Sequence, residues 1–150
     1  MASLQKDRLN RDPQLEAALE MAREQITRRK YTDAAETIVV AADRAEELGL
    51  ASHARSLRID ARRYLLVAWA REVMGLGDDD VGVLYDGTGR GEGWTFRIVP
   101  RARPGDLRVR LDARGRLHLV MNSLHDRDLS RAVTAWFARE RIARRSRSRG

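Results

Sequence analysis

At 150 residues the chain has the size of one domain or of two small units, and it can bury about 70% of the surface its unfolded form exposes. It contains no cysteine, which excludes disulfides, thiolate zinc sites, iron–sulfur clusters and a cysteine nucleophile. The net charge of +7 is unevenly placed: residues 1–75 carry 13 basic and 12 acidic side chains, residues 76–92 carry one and five, and residues 93–150 carry 15 and five.

Residues 1–10 hold no apolar stretch of the secretory kind. The longest apolar run, residues 64–70, is far shorter than the ~20 residues a membrane span needs. A cytoplasmic chain with no membrane partner is expected. Asp12-Pro13 opens a first helix, with Asp as cap and Pro in the first turn. Leu15, Leu19, Ala22 and Ile26 form its apolar stripe, and Arg28-Arg29-Lys30 closes it. A second helix starts near Tyr31-Thr32-Asp33, with the stripe Ala35, Ile38, Val39, Ala42 and Ala45, and Gly49 just beyond its end. The short connection predicts antiparallel neighbours.

A third helical pattern covers residues 50–74, with Ala54, Leu57, Ala61, Tyr64, Leu65 and Ala68 on one face. Around residues 64–70 it is apolar nearly all round, which predicts burial on every side. Gly75-Leu76-Gly77-Asp78-Asp79-Asp80 breaks the helix, and the period changes to two. Val81, Val83 and Tyr85 alternate, then a glycine-rich loop leads to Trp94, Phe96 and Ile98. That loop lacks the Gly-Lys-Ser/Thr of a P-loop and any G-x-G-x-x-G register, so it reads as a flexible hairpin loop. Leu107, Val109 and Leu111, the turn Asp112-Ala113-Arg114-Gly115, and Leu117, Leu119 and Met121 read as a hairpin. Ser123-Leu124-His125-Asp126 resembles a capping box before a last helix, whose stripe is Leu129, Val133, Trp136 and Phe137. Residues 144–150 read as a disordered Arg/Ser tail.

The pattern predicts an α+β fold: three antiparallel N-terminal helices, then a three- or four-stranded antiparallel sheet covered by a C-terminal helix. The expected division is 12–75 for the helical part, 76–92 for an acidic, glycine-rich linker with the first strand, 93–143 for the basic sheet and helix, and 144–150 for the tail.

Strand alternation sends Trp94, Phe96, Ile98, Leu107, Val109, Leu111, Leu117, Leu119 and Met121 to the core. It leaves Thr95, Arg97, Val99, Arg108, Arg110, Arg116, His118 and Val120 on the other face. Four arginines and a histidine with no acid among them suit phosphate groups, and Arg144, Arg145 and Arg147 of the tail extend that chemistry. An ordinary solvated face is the alternative. Asp78, Asp79 and Asp80 lack the further ligands of a calcium loop, and His53, His118 and His125 have no ligand spacing, so no metal or cofactor is expected.

Residues 15–60 resemble a degenerate tetratricopeptide unit, on Met21 and Ala22 of its first helix and Tyr31, Ala34, Ile38 and Ala41 of its second. The resemblance implies protein or peptide binding, and the helical hairpin is expected to contact a protein partner or a second copy. In order and charge, residues 94–127 resemble the small ribosome-dependent ribonuclease toxins. From the residues themselves, a ribonuclease could use His118 or His125 as acid–base, with Arg110 or Arg116 stabilising the charged phosphorane. The leading expectation is a small non-enzymatic nucleic-acid-binding accessory protein. The alternatives are an adaptor docking an acidic partner and a small ribonuclease.

Overall fold

Residues 12–87 and 93–149 are described in a computed structural model, Asp78 and residues 144–149 by their backbone alone. Three helices, α1 (Pro13–Thr27), α2 (Tyr31–Glu47) and α3 (Ala51–Met74), lead to a 3-10 turn at Asp78–Asp80. Four strands follow, β1 (Val81–Gly87), β2 (Trp94–Pro100), β3 (Leu107–Leu111) and β4 (Leu117–Asn122), and then helix α4 (Arg127–Arg149). This is the α+β order that the periodicity predicts. The chain forms two compact units that divide after Ala68, inside α3 and seven residues before the expected boundary. The glycine-rich loop and the N-terminal residues 1–11 lie outside the described residues.

In the first unit, Asp12 caps α1 by accepting a 3.1 Å hydrogen bond from the Leu15 amide, and Pro13 takes the first helical position. Its carboxylate also receives two 2.9 Å bonds from Arg44 of α2, which tie the start of one helix to the end of the next. The core is built from alanines, Ala35, Ala41, Ala42 and Ala45 of α2 with Ala22, Ala54 and Ala61, plus Leu15, Ile38, Leu50 and Leu57. Side chains this small let helices approach closely. Tyr31 and Tyr64 stack with centroids 6.0 Å apart. Two apolar expectations fail: Val39 is 42% exposed and Leu65 41% exposed, so α3 is not buried on every side around residues 64–70.

In the second unit the strands form an antiparallel meander in sequence order. Phe96, Ile98, Leu107 and Val109 point to one side and are fully buried. Asn122, on that same side opposite Leu107, donates to the Ser130 carbonyl and to Thr134 of α4. Helix α4 covers this face with Leu129, Val133 and Phe137. Trp69, at the end of α3, meets Trp136 and Phe137 with ring centroids 5.5 and 5.9 Å apart.

Both edge strands carry an irregularity, β1 at Asp86 and β4 at Val120. The one in β4 corrects a sequence assignment. Val109 pairs with Leu119 and Arg108 with Met121, so Val120 is the extra residue and Met121 turns to the arginine face, where it is 50% exposed. The last helix is also capped differently from expectation. Asp126, not Ser123, accepts the Asp128 and Leu129 amides at 3.0 and 3.1 Å, while the Ser123 amide donates to the Asp106 carbonyl. Helix α4 runs on to Arg149, so the segment expected to be a disordered tail is helical up to that residue. No helix among the described residues is long and apolar enough to cross a membrane.

Candidate functional site

The outer face of the sheet is set by three rows of paired residues. Leu84, Arg97, Arg108 and Met121 form one, Gly87, Thr95, Arg110 and His118 a second, and Gly82 with Val99 a third. Arg97 thus stands directly opposite Arg108, a like-charge pair that weakens a sheet unless it is screened. Acids from outside the strand alternation supply the screening. Asp106, just before β3, bonds Arg97 at 3.0 Å, and Asp86, the irregular residue of β1, lies 3.9 Å from Arg108. Asp112, in the β3–β4 turn, is 2.8 Å from His118 Nε2. The expectation of a cationic face without acids is therefore corrected, since acids engage Arg97, Arg108 and His118.

Asp112 organises this end of the sheet. One of its carboxylate oxygens accepts the Arg114 and Arg116 amides, both at 2.9 Å, and the other meets His118. His118 first, and then the Arg116 and Arg114 amides, hold the carboxyl down at about 2 against the opposing effect of burial. The turn closes with Gly115 donating to the Asp112 carbonyl and Asp112 donating to the Arg116 carbonyl, both at 3.0 Å. Arg116 therefore belongs to the turn, one residue before β4, and not to the strand face where alternation puts it.

A second basic surface lies on the other side of the sheet. Helix α4 buries Leu129, Val133 and Phe137, and its solvent side carries Arg127, Arg131, Arg139 and Arg141, all exposed. Among the described residues no acid engages any of these four. Asp126 at the helix start is taken by Arg103 at 2.7 Å. Its carboxyl lies below the ordinary range, first through the Leu129 amide and then through Arg103, against the cost of burial. Beyond Arg141 the helix continues with Arg144, Arg145, Arg147 and Arg149.

The predicted phosphate-binding residues are thus separated by the fold. Arg97, Arg108, Arg110 and His118 share the outer face, Arg116 sits at its rim, and Arg144, Arg145 and Arg147 belong to the helix that covers the opposite face. The unengaged arginines Arg127, Arg131 and Arg141 escaped the sequence reading. The signal was present for Arg127 and Arg131, whose four-residue spacing places them on the helix side away from Leu129, Val133 and Phe137, while Arg141 flanks that stripe one turn beyond Phe137. His125 lies in the β4–α4 connection, beyond the far end of β4 from His118, so the two histidines do not converge. Among the described residues no group of acids and histidines is arranged to hold a metal ion.

No family model, no curated protein and no solved structure matches the chain.

Proposed function

We propose that this protein is a non-enzymatic nucleic-acid-binding accessory protein whose principal phosphate contacts come from the outer side of α4. The observation that carries the reading is the row of exposed arginines, Arg127, Arg131 and Arg141, free of acidic partners among the described residues. An arginine already bonded to a carboxylate must exchange that partner before it can bind a phosphate. An unengaged one gives up only water and releases counterions from the nucleic acid. The sheet face plays the lesser part, because Asp106, Asp86 and Asp112 already engage Arg97, Arg108 and His118. In this proposal the helical unit contacts a protein partner or a second copy; the tetratricopeptide resemblance of residues 15–60 implies protein or peptide binding.

Two charge-reversal pairs test it. Arg127→Glu with Arg131→Glu is expected to lower nucleic-acid affinity about tenfold or more, and Arg108→Glu with Arg110→Glu to lower it less. The reverse order would move the site to the sheet. Absence of nucleic-acid binding by the unaltered chain at low salt would move the basic surfaces to an acidic protein partner.

A second reading is favoured by one arrangement, His118 held by Asp112 and paired across the strands with Arg110. In ribonucleolytic chemistry the 2′-oxygen attacks the adjacent phosphorus, and its proton passes to His118 Nδ1. That proton then returns to the departing 5′-oxygen, leaving a 2′,3′-cyclic phosphate. Arg110 would face the phosphate charge and Asp112 would orient the ring. RNA cleavage, with ribosomes present or absent, that disappears in His118→Gln supports this reading. Intact RNA under both conditions removes it.

A further inference from the structure

We infer that α2 of one copy docks on α4 of a second copy, Asp33 and Glu36 meeting Arg127 and Arg131 while Val40 settles over Ala138 beside Ile142. The inference rests on the partner reading of the helical unit given above and names that partner. At 3.6 residues per turn, the line of α2 turned away from the buried Ala34, Ile38, Ala41 and Ala45 holds Asp33, Glu36, Val40, Asp43 and Glu47, all exposed. The line of α4 farthest from Leu129, Val133 and Phe137 holds Arg127, Arg131, Ala135, Ala138 and Ile142, again all exposed. Thr134, bonded to Asn122 of β4, and Arg141 lie on one flank of that line, and Asp128 and Arg139 on the other.

The two lines are complementary in charge and in shape. Among the described residues no cation engages Asp33 or Glu36 and no acid engages Arg127 or Arg131, whereas Asp43 is taken by Arg58 at 3.1 Å and Glu47 by Arg44 at 2.9 Å. Val40 and Ile142, at 61% and 64% exposure, are the most exposed large apolar side chains among the described residues, and one stands on each line. The seven residues from Asp33 to Val40 match the seven from Arg131 to Ala138, a rise of about 10.5 Å on each helix. Side by side and parallel, Asp33 falls level with Arg131 and one turn from Arg127, and Glu36 falls within a turn of Arg131. Val40 then falls level with Ala138 and about one turn from Ile142, and the small alanine lets the helices approach closely.

A second copy is the occupant because each chain carries both halves of the contact, an open acidic line and an open basic one. Such a head-to-tail contact either closes on itself or continues as a chain. Exposed ion pairs contribute little alone, and one pair of helices buries less than a stable interface needs, so the association is weak and sensitive to salt. Arg127 and Arg131 also belong to the phosphate surface proposed above, so an assembled copy must release α2 before these arginines bind nucleic acid.

The test is sedimentation equilibrium of the full chain at low salt, free of nucleic acid, over about a hundredfold range of concentration. Circular dichroism verifies that each variant is folded. The mean mass is expected to rise above the 17.1 kDa of one copy as concentration increases, and high salt to return it. Asp33→Arg with Glu36→Arg, and Arg127→Glu with Arg131→Glu, should each stay at one copy where the unaltered chain associates. Mixed in equal amounts, the two variants should associate again, because the reversed α2 of one meets the reversed α4 of the other. Both keep a net positive charge, so general attraction does not bring them together. A mass of one copy at every concentration overturns the inference and gives the acidic line of α2 to a basic partner of another kind. Association unchanged in either double variant, or no recovery in the mixture, overturns it as well. With nucleic acid absent, each of these results leaves the nucleic-acid reading to its own test.

Discussion

Arg29 and Gly49 hold the same place in the same motif at the two corners of the helical unit. After α1, the Lys30 amide reaches back to the Gln25 carbonyl and the Arg29 amide to Ile26. After α2, the Leu50 amide reaches Ala45 and the Gly49 amide reaches Glu46. Both corner residues are left-handed, Arg29 at φ 61° and Gly49 at φ 78°, a conformation that costs an L side chain about 1 kcal/mol. Arg29→Gly is therefore expected to raise stability by about 0.5–1 kcal/mol in urea denaturation, and Gly49→Ala to lower it by a similar amount. Gly105 is constrained more tightly, with φ at 98° and the Ser123 carbonyl oxygen and the His125 amide where a Cβ would lie. Gly105→Ala should cost about 3 kcal/mol or more, because backbone on both sides leaves nothing to yield. Asp112 gives a pH signature. Its carboxyl titrates at about 2 in the fold against an ordinary 3.8, so its stabilisation is complete above the ordinary value and is lost as pH falls through about 2. Urea midpoints measured across that interval should fall less steeply in Asp112→Asn.

Local signals explain which elements were legible. Asp12-Pro13 and Gly49 act within a turn of where they stand, and the change from a period near four to a period of two marks the start of the sheet at Val81. Strand β4 shows where this reasoning fails. Leu117, Leu119 and Met121 continue their alternation through an irregularity that leaves no mark in the sequence, because the register is set by the β3 partner and the turn at Asp112. Alternation names the face on which a residue lies but not what reaches it from the next turn, so Asp86, Asp106 and Asp112 were invisible as partners of Arg108, Arg97 and His118. The two edge irregularities also have a shared consequence. A bulged edge pairs poorly with another strand, which protects an exposed Leu84 on β1 and Val120 on β4 from joining a neighbouring sheet. Deleting Val120 leaves the pairings Leu119 to Val109 and Met121 to Arg108 available, so the fold should persist. Sedimentation should then show self-association stronger than that of the unaltered chain at the same concentration.

At the scale of the molecule the charge is divided three ways, near neutral over residues 1–75, acidic over 76–92 and +10 over 93–150. Within the last segment the sheet balances its outward cations with its own acids, whereas α4 presents arginines that nothing among the described residues engages. That difference is the physical content of the proposed function. A surface whose cations are internally paired shows weak salt dependence, and one with free cations exchanges condensed counterions for phosphates. The most direct measurement is the affinity of the full chain for nucleic acid across about 50–200 mM salt, plotted as log affinity against log salt. The account predicts a linear fall with a slope of about −3 to −4, corresponding to a few phosphate contacts at about −0.9 each on duplex DNA. A flat line, or no binding at the lowest salt, would contradict it.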